Sequence, residues 1–203
     1  MKTLAKTVFA AALTAVVLTS TAMATFAAGP VQTETKMPSL SRFNRIWVSG
    51  NVKLVLTQGD KQHVEGAGNY DAAKTSVSTD GKTLFINSME TSQVTINVTV
   101  KDLERIEAYG QSVVLTRNNF DVKYLQLFLS QNATAKIKTT AGSVYTIVKE
   151  DAVLKLSGTA KESTMVAGNL KNVKLADFAS IKSTAFASQA IMEAEQHAMA
   201  LAK

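Results

Sequence analysis

In 203 residues the chain has no cysteine, two prolines and two histidines. Each shortage removes a class of chemistry. Without cysteine there is no disulfide, no thiolate nucleophile or metal ligand, and no N-terminal Cys to lipidate. His63 and His197 stand near opposite ends of the sequence, so no spacing gathers them into a triad or a multi-histidine metal site. Both prolines, Pro30 and Pro38, fall in one short N-terminal stretch, which leaves the remainder free of the residue that most disrupts sheets. Arginine is confined to Arg42, Arg45, Arg105 and Arg117, with no stretch that interleaves basic and aromatic residues, which argues against a nucleic-acid partner. Gly66-Ala67-Gly68 has neither the third glycine nor the following helix of a phosphate-binding loop. No cofactor is implied.

Long apolar runs are scarce too. The main one, Val8 to Val17, follows Lys2 and Lys6 and precedes the small residues Ala22, Ala24, Ala27 and Ala28. Short and broken by Thr14, Thr19, Ser20 and Thr21, it reads as a secretory signal peptide over 1–28 rather than a membrane span. Residues 29–41 read as a flexible leader, and 42–203 as a single domain with no linker inside it. The predicted location is the periplasm or the cell surface, with no stable membrane span after cleavage. Loss of Lys2 and Lys6 takes the formal charge from +6 to +4, a mild excess that leaves acidic glycans open as partners. A secreted chain without disulfides must draw its stability from burial and backbone pairing, and a mature length near 175 residues permits that.

What the sequence does contain is alternation. Val94, Ile96, Val98 and Val100 alternate with Thr95, Asn97 and Thr99, the pattern of a half-buried strand. Asp80-Gly81 between apolar runs is the strongest hairpin signal. From Leu103 onward a nineteen-residue step sets in: Phe128, Ile147 and Val166 fall in step, as do Ile137, Leu156 and Leu175, and Lys136, Lys155 and Lys174. A rung this short suits one strand pair per coil. The fold class is therefore all-β, a β-solenoid or right-handed β-helix-like stack of short strands preceded by β-hairpins. Ala185 to Ala200, rich in alanine, methionine and glutamate, reads equally as a last strand or as a short C-terminal helix that would cap the stack.

Three segments carry a resemblance: Phe43 to Val52 (Phe-Asn-Arg-Ile-Trp-Val-Ser-Gly-Asn-Val), Val77 to Ile86 with Asp80-Gly81, and Val94 to Val100 followed by Leu103 to Gly110. In order and spacing the chain resembles, over about Phe43 to Leu175, the head GIN domain family, a bacterial domain of unknown function named for autotransporter adhesins. The resemblance implies a secreted or periplasmic all-β protein with β-helix-like coils and no established enzyme activity. It carries no catalytic residues over. Where the family has Ser-Gly-rich turns, this chain has Gly110, Gln131-Asn132, Glu150-Asp151 and Gly168-Asn169, and Asn or Asp can supply the left-handed turn geometry.

The lysine ladder is the most testable feature. In register, Lys136, Lys155 and Lys174 sit about 4.8 Å apart and repel by roughly 1 kcal/mol per neighbouring pair in water, a tolerable cost without any ligand. They form either a ligand face for the carboxylates or phosphates of an acidic envelope component, or a solubility device. Of the carboxylates, Glu150-Asp151 comes nearest to a paired acid site, and solvated turn charge is its commoner reading. Trp47, flanked by Ile46 and Val48, points away from them; a lone tryptophan packs under a loop more often than it stacks on a sugar. The expected function is a non-catalytic, adhesin-like extracytoplasmic module binding an envelope glycan or assembling with itself or protein partners; the alternative is a polysaccharide-cleaving β-helix enzyme.

Overall fold

Strict alternation makes one face of each strand apolar, and that face must be buried. In the computed structural model, which describes residues 35–36, 40–67 and 70–187, it is buried against a second layer of the same sheet. These residues belong to one compact unit. The signal peptide over 1–28, most of the leader, and residues 188–203, which include His197 and all but the start of the C-terminal reading, lie outside the described residues.

Thirteen strands form one sheet. They are β1 (Thr35–Lys36), β2 (Arg45–Gly50), β3 (Val52–Gln58), β4 (His63–Gly66), β5 (Thr75–Asp80), β6 (Thr83–Ser88), β7 (Val94–Val100), β8 (Arg105–Ala108), β9 (Val113–Thr116), β10 (Phe120–Leu129), β11 (Thr134–Val148), β12 (Val153–Ala167) and β13 (Val173–Ala187). A single 3₁₀ turn, Leu170–Asn172, is the only helical element among the described residues. The all-β expectation holds, and the sheet curls round without closing.

Its curl follows from the pairing. One wing runs β4-β7-β3-β9 and continues into the first half of β11; the other runs β5-β6-β2-β8-β10 and continues into the second half of β11. The fifteen-residue strands β11, β12 and β13 turn the bend between the wings, so the two ladders share them. Leu54, Leu56 and Ile137 point inward from the first wing, and Ile46, Ile106 and Leu127 from the second; all six are almost wholly buried. Each such side chain contributes roughly 1.5–3 kcal/mol of transfer free energy.

From β8 to β13 the pairs are parallel. The predicted nineteen-residue step is their register: Phe128 pairs with Ile147 and Ile147 with Val166. These three lie on the outer, half-buried face. The hairpin predicted at Asp80-Gly81 is β5–β6, antiparallel, with Gly81 at φ 55°. The alternating run Val94 to Val100 is β7, buried and half-buried by turns as expected.

Three details differ from the sequence reading. A register shift between Lys155 and Ser157 drops Leu175 out of the Ile137–Leu156 row and leaves it 36% exposed. Ala185–Ala187, the start of the helix reading, finish β13 as strand. The left-handed turn positions are taken by Gln131 (φ 61°) and Glu150 (φ 55°), not by Asn132 and Asp151.

Candidate functional site

The corners explain that last difference. At successive turns the left-handed residues are Gly110, Gln131 and Glu150. The Gln131 amide oxygen accepts from the Gly110 N–H at 2.6 Å, and the Glu150 carboxylate accepts from the Gln131 N–H at 2.5 Å. A long side chain at this position reaches back to the preceding turn and satisfies its backbone donor, which Asn or Asp is too short to do. Those bonds offset the strain of a non-glycine residue at positive φ. Glu150→Ala should therefore cost about 1 kcal/mol in urea unfolding, and Glu150→Gly less, because glycine loses the bond but also the strain. No loss in Glu150→Ala would count against the staple. It also removes Glu150 from the free carboxylates that the paired-acid reading requires.

On the outside of the first wing, Lys136 pairs in register with Lys155 and Lys155 with Lys174. All three are exposed, and among the described residues none is in an ion pair. Lys138, also exposed, stands two residues on from Lys136 on the same face. Where β11, β12 and β13 form the wing, its outer surface thus carries a basic stripe.

The second wing presents something different. Across β6, β2, β8, β10, β11, β12 and β13 its outer face carries the row Phe85, Trp47, Glu107, Phe128, Ile147, Val166, Phe186. Trp47 lies 5.9 Å from Phe85 and 5.6 Å from Tyr109, both tilted; Phe128 and Tyr145 lie 6.1 Å apart. Between these two aromatic patches sits a polar knot. The Arg105 guanidinium lies 4.9 Å over the Phe128 ring, donates to the Gln126 amide oxygen at 2.8 Å and pairs with Glu107 at 3.2 Å. The Tyr109 hydroxyl donates to the other Glu107 oxygen. Burial first, then Glu107 as charge and hydrogen-bond partner, push the Tyr109 phenol up, and Arg105 partly opposes them.

The family model for "Putative auto-transporter adhesin, head GIN domain" matches residues 42–190. The chain belongs to this family. Among solved structures the head GIN domain is similar to a "putative adhesin" from Bacteroides fragilis, with TM-score 0.67 and 18% identity over 76% of this chain and 74% of that one. It also resembles a "putative adhesin" from Parabacteroides distasonis, with TM-score 0.59 and 16% identity over 76% and 77%. A "putative lipid binding protein" from the same organism matches with TM-score 0.56 and 12% identity over 76% and 77%. At these identities the likeness is one of fold. No curated protein matches.

Within this head GIN domain the structure brings the three predicted lysines together and scatters the acids. Glu162 pairs with Lys182 at 3.9 Å, His63 meets only Glu65 at 3.2 Å, and no group of three His, Asp or Glu among the described residues could hold a metal. No helix among them is long and apolar enough to cross a membrane. Sequence reasoning flagged Trp47 and missed its company. Glu107 is sixty residues away, and β3 to β7, with the β5–β6 hairpin among them, lie between the two strands, a separation that no fixed period reveals.

Proposed function

We propose that this head GIN domain is a non-catalytic extracytoplasmic module, a β-solenoid-like stack that docks an acidic cell-envelope glycan along its lysine wing or assembles with itself or protein partners there. The observation that carries the reading is the in-register exposed run Lys136, Lys155, Lys174. Charges about 4.8 Å apart along a flat face match a polyanion, whose own charges repeat along a line. The adhesin names of its structural relatives support the same direction, and a periplasmic or surface location follows from the N-terminal signal pattern. Canonical glycoside hydrolysis uses two carboxyl groups at a fixed separation, whereas Glu150 is tied to a backbone N–H and Glu107 to Arg105 and Tyr109.

The test is binding of the chain from Gly29 to alginate, a uronic-acid polymer, across a salt series. Affinity should fall about tenfold or more between about 50 and about 500 mM salt, and a Lys136→Ser, Lys155→Ser, Lys174→Ser variant should lose most of the low-salt binding. Equal binding by both proteins, or none by either, would end the reading.

A further inference from the structure

We propose that the outer face of the second wing is a stacking site for the pyranose rings of a neutral, linear polysaccharide, separate from the lysine wing and independent of its ligand. Two patches of rings, Trp47 with Phe85 and Tyr109, and Phe128 with Tyr145, stand two strand spacings apart, about 9.6 Å. That is on the order of a disaccharide's length, so alternate sugars of one chain reach both. Sugar rings have apolar C–H faces and hydroxyl edges. The strip has the complement, since the rings offer π faces and the knot between them offers Arg105 donors, Glu107 acceptors and the Gln126 amide, all half-buried and open to one side.

The shape favours a sugar over a protein partner. Protein hot spots insert anchors into pockets, and the clefts of this molecule lie elsewhere, along the bend and its approaches, lined by residues such as Arg42, Asn44, Lys82, Asp102 and Lys123. The strip carries Phe85, Trp47, Phe128 and Phe186 in one row at multiples of the strand spacing over roughly 29 Å, with Tyr109 and Tyr145 beside that row. Such a surface suits a thin polymer with a short repeat. Charge is sparse here: Arg105 and Glu107 neutralise one another, which leaves the exposed Arg45, in register with Arg105, as the cation of this strip where the lysine wing has an in-register run.

Trp47 is the chain's single tryptophan, so its fluorescence reports this face and no other. Cellohexaose, chitohexaose and mannohexaose titrated into the chain from Gly29 should include at least one that gives a saturable blue shift, little changed by salt. Tyr109→Ala and Phe128→Ala, each of which keeps the Trp47 probe, should weaken that binding about tenfold, the loss expected for one stacked ring. Tyr109→Phe should retain it, and so should the triple lysine variant, which separates this site from the lysine wing. Near-ultraviolet circular dichroism checks that each variant is folded. No shift with any of the three sugars, or a shift unchanged in folded Tyr109→Ala and Phe128→Ala, overturns the proposal. So does a shift abolished by the lysine substitutions.

Discussion

Phe120→Ala should lower the free energy of unfolding by about 4 kcal/mol. Phe120 is the one aromatic among the fully buried side chains of the described residues, at 1% exposure. It opens β10 where the chain swings from one wing to the other, so its ring fills the angle of the bend. Truncation leaves a cavity beside a strand held by the β11 ladder on one side and by the Gln58 side chain, bonded to the Asp121 backbone, on the other, and such a site resists collapse. The Phe120 carbonyl accepts from the Thr139 hydroxyl at 2.8 Å, a further tie that resists collapse. Urea unfolding with an unchanged m-value would show the loss as a shifted midpoint. Ile181→Ala, at a side chain 88% exposed on β13, supplies the contrast and should move stability by less than about 0.5 kcal/mol. A loss under about 1.5 kcal/mol at Phe120 would mean that the bend repacks and that the wings, not the angle, hold the fold.

What could be read in advance divides along the range of the contacts. Local alternation gave β7, and Asp80-Gly81 gave its hairpin, because strand and turn are settled by residues adjacent in the chain. The nineteen-residue step placed the lysines correctly because the parallel strands β11, β12 and β13 follow one another at a constant length there. It failed at Leu175, where one irregular residue in the ladder changes the step, and bulges have no period to betray them. The Gln131 and Glu150 corners were hidden for another reason. Propensity favours Asn or Asp at positive φ, and here a hydrogen bond to the preceding turn overrides it. The aromatic wing was the least visible, since β2 and β8 neighbour one another only after five intervening strands have folded away.

Gly158→Ala should be comparably damaging, at about 3 kcal/mol or more, although it removes nothing. Gly158 lies mid-strand in β12 at φ 105°, a region that side-chain-bearing residues rarely enter, and it pairs with Thr139. A Cβ added there would fall on the Thr139 carbonyl oxygen, far inside van der Waals contact. Thr139 cannot withdraw freely, since its hydroxyl is bonded to Phe120 on the preceding strand. Phe120, Thr139, Gly158 and Phe178 thus form one row across four strands at the bend, and the glycine lets the bend be sharp enough for Phe120 to fit inside it. This arrangement predicts coupling. In the double variant Phe120→Ala with Gly158→Ala, the vacated ring space lets the strand shift away from the new methyl, so the combined loss should fall short of the sum by about 1 kcal/mol. Strict additivity would show that the two positions act separately, and that the sharp bend is set by Gly158 alone.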